Sequence, residues 1–129
     1  MSELANQAVT KQLNRATETS RIMTMVLEGE LDRRDVQDIT DMLARKTLEG
    51  LVEIVIDFCD VTHFDYRGVK PLVERAEVMR QHGGDLKLSG LSPYLHAIFR
   101  SAGAHDSFDY FSQSGDAVRS FDRGVLLYG

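Results

Sequence analysis

Residues 51–58 read Leu-Val-Glu-Ile-Val-Ile-Asp-Phe, a nearly continuous run of apolar and β-branched side chains at the centre of the chain. Such a run is typical of a strand that is covered on both faces, whereas a strand with one solvated face alternates between apolar and polar residues. Parallel sheets contain strands of this kind, because their crossover helices cover both faces. The run therefore predicts a central strand of a parallel sheet.

A helix is predicted after this strand. A polar turn, residues 59–65, leads into a stripe of apolar residues that ends at Gly83-Gly84. The stripe has helical spacing and consists of Val69, Leu72, Val73, Ala76 and Met79. Pro71 fits such a helix only in its first turn, where the missing N–H has no intrahelical partner. The helix is therefore expected to begin near Gly68.

The residues before the central strand predict a hairpin and a first helix. Residues 21–28 are rich in apolar side chains and precede Gly29, which predicts a strand that ends at a turn. Residues 10–16 are the candidate antiparallel partner, through a turn at residues 18–20. Asp32 then predicts a helix cap, and Gly50 predicts the end of that helix. Its apolar stripe is Val36, Ile39, Met42 and Leu43.

The C-terminal half continues the alternation of strands and helices. Residues 86–88 predict a short strand, and Ser92-Pro93 predicts the capped start of a helix that ends at Gly103. Residues 106–111 predict a last short strand, and Ser114 a cap of a final helix that frays at Gly124. The predicted fold class is α/β, with a mixed, mostly parallel β-sheet covered by about four helices.

Length and composition indicate a single domain. The chain has 129 residues, of which 43% are hydrophobic and 27% charged, a balance typical of globular chains. We expect a core over residues 21–123, with residues 1–20 as an N-terminal extension or edge strand. The net charge of −5 disfavours nucleic acid and anionic membranes as partners, and no apolar run is long enough for membrane insertion.

The N-terminus and the cysteine count favour a cytoplasmic location. Residues 1–15 have neither the apolar stretch nor the cleavage site of a secretory signal. Cys59 is the single cysteine and has no intramolecular partner for a disulfide bond. Both observations are typical of a protein from a reducing compartment.

Three segments follow one another along the chain: Gly29-Glu30-Leu31-Asp32, residues 54–68 (IVIDFCDVTHFDYRG) and residues 83–93 (GGDLKLSGLSP). The first resembles the Gly-Glu-Leu-Asp turn before the first helix of STAS domains, the family of bacterial anti-sigma-factor antagonists. The second resembles that family's buried strand and the loop ending in Asp-Ser-Ser-Gly or Asp-Ser-Thr-Gly. The third resembles its Gly-Gly, short strand and Ser-Pro-capped helix. The resemblance covers roughly residues 21–123.

The resemblance implies a STAS-like single domain that regulates transcription by partner switching, through protein–protein interaction with an anti-sigma factor or kinase-like regulator. In regulated members, the partner kinase phosphorylates a Ser or Thr directly after the loop aspartate. Tyr66 occupies that position here, and Arg67 replaces the second hydroxyl residue, while Asp65 and Gly68 match the pattern. A tyrosine oxygen lies several ångströms further from the backbone than a serine oxygen. We therefore expect no switching by Ser/Thr phosphorylation at this loop.

The predicted partner-binding face is built around residues 62–68 and residues 30–32. Its candidate residues are Thr62, His63, Asp65, Tyr66, Arg67, Gly68, Glu30 and Asp32. Tyr and Arg are enriched among interface hot spots, although a partly buried Tyr and a solvated Arg explain the same pattern equally well. The three acidic residues are also typical helix caps or turn residues.

An enzymatic alternative rests on Cys59 and His63, which occur in one predicted loop. Nothing in the sequence orients the histidine toward the cysteine, and cysteine is more often a small buried hydrophobic residue. His82, His96 and His105 lack the spacing of metal ligands, and Gly83-Gly84 lacks the spacing of a nucleotide-binding loop. We expect no enzyme activity, no metal and no cofactor.

Two binding functions are consistent with the sequence. The first is a non-catalytic module that binds a regulator competitively and so releases that regulator's other client. The second keeps the fold but makes the chain an accessory subunit of a transporter or lipid-export complex, or a ligand-sensing module. Both functions use the predicted fold, so the identity of the partner distinguishes them.

Overall fold

In the part of the chain that the structure describes, five strands form one sheet, and their spatial order is the same as their order in the sequence. The computed structural model describes the backbone of residues 13–19 and 21–128, and the side chains of residues 21–121. The first two strands are antiparallel, and the remaining pairs are parallel. The strands are β1 (Leu13–Thr19), β2 (Ile22–Leu31), β3 (Glu53–Phe64), β4 (Asp85–Ser89) and β5 (Tyr110–Phe111).

Helices cover both faces of this sheet. They are α1 (Arg33–Leu48), α2 (Val69–Gln81), α3 (Pro93–Ser101) and α4 (Ser114–Tyr128), and a 3₁₀ turn (Tyr66–Gly68) precedes α2. On β3, Ile54, Ile56 and Phe58 belong to the large core with α1, α2 and α3. Val55 points to the other face and packs in a smaller cluster with Ala117 of α4. This confirms the predicted α/β fold and the predicted central strand.

The starts of α1 and α3 agree with the predicted caps, whereas α4 begins at Ser114 itself, which was predicted as its cap. The Asp32 carboxylate accepts a hydrogen bond from the Asp35 N–H at 2.8 Å, and the Asp35 carboxylate accepts one from the Asp32 N–H at 3.0 Å. This reciprocal pair is a capping box that begins α1. Ser92 caps α3 through the Leu95 N–H. Pro71 lies in the first turn of α2, as predicted.

The strand β2 is longer than predicted, because Gly29 does not end it. Gly29 has φ +84, and the pairing with β3 shifts register on both sides of it. Glycine adopts this positive φ without steric cost, so Gly29 forms a β-bulge inside the strand. The expected turn at Gly29-Glu30-Leu31-Asp32 is therefore wrong, and Leu31 is the last residue of the strand.

The strand β3 also extends beyond its predicted end. Residues 59–64 continue the strand to Phe64, so the polar turn predicted over residues 59–65 is wrong. Val61 and Phe64 are buried, and the extended β2 supplies backbone partners as far as Leu31. Polar side chains at the exposed positions of the strand produced the appearance of a turn.

Smaller differences concern the edges of the fold. Residues 13–16 pair antiparallel with β2 as predicted, but β1 continues to Thr19, which pairs with Ile22. Glu18 and Thr19, predicted as part of a turn over residues 18–20, therefore belong to the strand, and residues 1–12 lie outside the described part of the chain. The last strand comprises only Tyr110–Phe111, and α4 continues past Gly124 to Tyr128.

Gly84 lets the connection from α2 approach the start of β3 closely. A Cβ atom on Gly84 would lie 1.9 Å from the Val52 carbonyl oxygen, which also accepts a hydrogen bond from the Asp85 N–H at 2.9 Å. The neighbouring Gly83 has φ +85, but a Cβ atom there would meet no atom within 4 Å. The two glycines therefore have different functions: close approach for Gly84 and a left-handed backbone for Gly83.

We expect Gly84→Ala to destabilise the protein more than Gly83→Ala. The first change forces the backbone at residue 84 away from that at Val52, and it should lower the free energy of unfolding by roughly 3 kcal/mol or more, as overpacking does. The second places a side chain in the left-handed region, at a cost of roughly 1 kcal/mol. Urea denaturation of both variants measures the two free energies of unfolding. Equal losses would contradict the assignment of close approach to Gly84.

Candidate functional site

The carboxyl ends of β2 and β3 bring together the two predicted parts of the partner-binding face, residues 30–32 and residues 62–68. Glu30 pairs with His63, and Leu31 pairs with Phe64. The Asp65 N–H then donates a hydrogen bond to the Leu31 carbonyl oxygen at 2.9 Å. One edge of the domain therefore carries Glu30, Asp32, His63 and Asp65. We call the surface formed by these four residues, Thr62 and residues 66–68 the docking edge.

Asp65 and Arg67 form a bidentate ion pair. The Asp65 carboxylate accepts hydrogen bonds from the Arg67 backbone N–H at 2.8 Å, from its Nε at 3.1 Å and from its Nη2 at 2.9 Å. These hydrogen bonds, with the side-chain bonds foremost, lower the pKa of Asp65 to about 2. The same carboxylate raises the pKa of Arg67. Asp65 is thus both the cap of the 3₁₀ turn and the support that orients the arginine.

Tyr66 is presented to solvent by that turn. Tyr66 as a whole residue is 56% exposed, and the side chain of Arg67 is 65% exposed. Large aromatic residues are usually buried or partly buried, so a tyrosine this exposed is an available contact surface. Tyr66 is therefore not partly buried, and a hot-spot function of Tyr66 and Arg67 stays a prediction.

Tyr94 joins the docking edge from α3, and the sequence did not identify it. Its hydroxyl lies 2.6 Å from His63 Nδ1, the two ring centroids are 5.8 Å apart, and the residue is 53% exposed. The only sequence signal is its position directly after Ser92-Pro93, at the start of a helix that follows a parallel strand. Starts of such helices lie at the carboxyl edge of the sheet, where ligands of α/β proteins bind.

Gly68 has a packing function at this edge. It is buried, and a Cβ atom on it would lie 2.8 Å from Val36 Cγ2 of α1. A side chain there would push α1 and α2 apart. Gly68 therefore sets the distance between the two helices instead of offering a side chain to a partner.

The remaining predicted residues are exposed around this centre. Thr62 and Glu30 are exposed on adjacent strands. Asp32 is exposed as well, and its carboxylate caps α1. Hydrogen bonding, mainly from the Asp35 N–H, lowers the pKa of Asp32 and keeps it ionised. Glu30 and Asp32 thus add two acidic side chains to the docking edge.

The surroundings of Cys59 do not favour a nucleophilic thiolate. Partial desolvation, followed by the carboxylates of Asp57 and Asp60, raises the pKa of the Cys59 thiol to about 11. Reactive cysteines have the opposite shift, because the thiolate is the nucleophile. The nearest described partner of His63 Nδ1 is the Tyr94 hydroxyl, not the cysteine. The alternative Cys59–His63 pair therefore lacks, among the described residues, the contact that catalysis would need.

Metal binding and membrane crossing also lack a structural basis in the described residues. Over this part of the chain, no three His, Cys, Asp or Glu side chains are grouped so that they could hold a metal ion. No helix formed by these residues combines the length and the apolar character that crossing a bilayer requires.

Solved structures with the same fold include anti-sigma factor antagonists. The unphosphorylated anti-sigma factor antagonist SpoIIAA superposes with a TM-score of 0.69 at 20% identity, over 84% of this chain and 93% of that one. An anti-sigma factor antagonist from Mycobacterium paratuberculosis gives a TM-score of 0.71 at 16% identity, over 82% and 90% of the two chains. At these identities the likeness establishes the fold.

The fold also occurs inside a much larger protein. The murine anion transporter Slc26a9 matches over 84% of this chain but only 19% of its own length, at 18% identity and a TM-score of 0.66. No curated protein matches this chain by sequence. The family model of the STAS domain, however, matches residues 14–117, which is most of the chain. The chain therefore belongs to the STAS-domain family.

Proposed function

We propose that this chain is a non-catalytic interaction module that regulates an anti-sigma factor or kinase-like regulator by competitive binding in a bacterial cytoplasm. The observation that carries the proposal is the exposed Tyr66 and Arg67 pair at the docking edge. Binding there would occupy the regulator and release its other client, so the chain would act on transcription through partner switching. The anti-sigma factor antagonists that share the fold support this direction.

The docking edge has the composition of an interface centre. Tyr and Arg are the residue types most often found as hot spots, and Tyr94 adds a second exposed aromatic ring. The bidentate contact with Asp65 restricts the Arg67 side chain before a partner arrives. Because less rotamer entropy is then lost on binding, the pair is preorganised for contact.

Tyr66 changes how such a module would be controlled. A phosphorylated Ser at this place would put about two negative charges into the middle of the docking surface and break the complex. Tyr66 has no hydroxyl at the serine position, because its oxygen is at the far end of the ring. The docking edge would therefore be permanently competent, and control would depend on the partner or on the amount of this protein.

A second function is favoured by one observation. The Slc26a9 match shows that this fold also forms one segment of an anion transporter. As an accessory subunit of a transporter, this chain would use the same docking edge against a membrane protein. Affinity purification separates the two functions, because the captured partner is either a kinase-like regulator or a transporter component.

Tyr66→Ala should weaken binding of the natural partner roughly tenfold or more, as truncation of an interface hot spot does. The measurement is affinity capture from the native host, followed by titration with the purified partner. Glu77→Ala is the matched control, since Glu77 is exposed on α2 and lies outside the docking edge. If Tyr66→Ala retains full affinity while the fold is intact, the docking edge is not the binding site.

The pKa of Asp65 should return toward its ordinary value of 3.8 in Arg67→Gln, because the hydrogen bonds from the guanidinium hold it at about 2. A lowered pKa means that the ionised carboxylate stabilises the turn above the ordinary pKa, and that this contribution is lost as pH falls through about 2. NMR titration of the carboxyl carbon measures both values. Arg100→Gln on α3 serves as control, and an unchanged Asp65 pKa in Arg67→Gln would contradict the pairing.

No phosphate should be found on Tyr66 in protein isolated from the native host. The physical reason is the distance of the phenol oxygen from the position that a serine kinase reads. Intact-mass analysis and phosphopeptide mapping provide the measurement, and incubation of the Tyr66→Ser variant with the captured partner and ATP is the matched comparison. Stoichiometric phosphate on Tyr66 of the wild-type protein would remove the idea of a permanently competent edge.

A further inference from the structure

A hydrogen bond joins the start of α3 to the carboxyl end of β3 at the docking edge. The Tyr94 hydroxyl oxygen lies 2.6 Å from His63 Nδ1. The planes of the two rings are inclined by 32°, with 5.8 Å between the centroids. Both backbones are held by regular structure, because His63 pairs with Glu30 in the sheet and Ser92 caps the helix that carries Tyr94. The contact is therefore set by the fold and not by a loose loop.

The length of this contact indicates that the tyrosine is the donor. Hydrogen bonds donated by an O–H group are about 2.5–3.0 Å long, whereas N–H donors lie about 2.7–3.2 Å from their acceptors. The distance of 2.6 Å between the Tyr94 oxygen and His63 Nδ1 falls only in the first range. Among the residues that the structure describes, the Tyr94 hydroxyl has no second hydrogen-bond partner. In the neutral ring, Nδ1 is therefore the acceptor.

An acceptor at Nδ1 determines what the other nitrogen of His63 does. A neutral imidazole carries one proton, so a ring that accepts at Nδ1 has its N–H group at Nε2. A protonated ring carries a proton on both nitrogens, so Nε2 is a donor in that form as well. With Tyr94 in place, His63 therefore offers an N–H donor at Nε2 in either protonation state.

The Nε2 atom of His63 is available to a partner. It has no hydrogen bond within the described part of the chain. The ion pairs of that part do not include His63 either. The described side-chain polar atoms that are shielded from solvent without a hydrogen-bond partner are Arg75 Nε and Ser89 Oγ. Since His63 Nε2 is not one of them, its N–H group is open to solvent.

The charges beside His63 favour a neutral acceptor for this N–H group. Glu30 is the pairing neighbour of His63 on β2 and forms no ion pair among the described residues. The Asp65 carboxylate, two residues further along the chain, is balanced by Arg67. A carboxylate from a partner would be placed next to Glu30 and repelled by it, because like charges in close apposition are unfavourable. A peptide carbonyl oxygen accepts a hydrogen bond without this repulsion.

We propose that Tyr94 is a positioning residue that acts through His63, so that the Nε2–H group of His63 donates a hydrogen bond to a carbonyl oxygen of the protein partner. The proposal rests on the proposed function and adds the group by which the partner is recognised. The hydrogen bond at one ring nitrogen fixes the function of the other, as in other histidine sites. A partner without a carbonyl oxygen at this place would leave the donor unpaired, which contributes to specificity.

The first test needs no partner. Nitrogen–proton correlation spectra of the full chain with isotope-labelled histidine distinguish the two neutral tautomers of His63. We expect the proton on Nε2 in the wild-type protein and a mixture of tautomers in Tyr94→Phe, which keeps the ring but removes the hydroxyl. Tyr66→Phe is the matched control, because it removes a hydroxyl that forms no hydrogen bond with His63 in the described residues. A proton on Nδ1 in the wild type, or an unchanged tautomer population in Tyr94→Phe, would overturn the proposal.

The second test is a double-mutant cycle with the purified natural partner. His63→Phe should raise the dissociation constant roughly tenfold, because it deletes the donor and leaves the partner's carbonyl oxygen unpaired. Tyr94→Phe should raise it roughly twofold, as expected when about half of the molecules carry the proton on Nε2. In the His63→Phe background, Tyr94→Phe should have no further effect, because the hydroxyl acts only through the imidazole. Additive losses would show a direct contact of the hydroxyl with the partner and would overturn the positioning function.

Controls separate this proposal from the proposed function. His82→Phe should bind normally, since His82 is exposed at the end of α2 and lies outside the docking edge. If Tyr66→Ala loses the partner while His63→Phe keeps it with unchanged affinity, the docking edge is correct and the donor function of His63 is wrong. If neither change weakens binding, both proposals fail. Circular dichroism checks the fold of each variant.

A further pair of variants covers the case in which His63→Phe is unstable. His63→Gln keeps an N–H donor on its side-chain amide, whereas His63→Leu has none. The first variant should therefore bind the partner more tightly than the second. Equal affinities of the two variants would contradict the donor function of His63.

Discussion

The hydrogen bond from the Asp65 N–H to the Leu31 carbonyl oxygen ends the ladder between β2 and β3, and the docking edge depends on it. It ties together the two points where the chain leaves the sheet, one before α1 and one before the 3₁₀ turn. Phe64 fixes the same point from below, because its ring packs against those of Phe58 and Phe99 at centroid distances of 5.8 and 5.1 Å. The backbone that carries the exposed side chains of the docking edge is therefore held by a hydrogen bond and by the packing of the Phe64 ring.

Much of the fold was predictable because local chemistry marks the helix ends. Asp32 and Ser92 are side chains that satisfy free N–H groups at a helix start, and this function can be recognised from neighbouring residues alone. The carboxyl ends of β2 and β3 were not predictable in this way. Whether Gly29 is a turn or a bulge depends on a partner strand thirty residues away, and the exposed polar residues of β3 have the composition of a loop.

At the docking edge, too, some residues were predictable from local sequence and others were not. Asp65, Tyr66 and Arg67 were predictable because they are consecutive and follow a buried strand. Tyr94 was missed because it comes from α3, and only the parallel order of β3 and β4 brings its hydroxyl to His63. Contacts across distant elements carry no local sequence signal.

Tyr66 and Arg67 are better understood as a pair than as two separate departures from the family pattern. A serine at the start of α2 offers a place for a removable negative charge, and the control of binding then lies in that charge. Here the positive Arg67 occupies the next position, where it forms an ion pair with Asp65 while its side chain stays largely exposed. The same turn that would carry a phosphate in a switched member instead carries a fixed cation beside an exposed aromatic ring. Under the proposed function, the specificity of this surface would therefore reside in fixed geometry and not in a reversible modification.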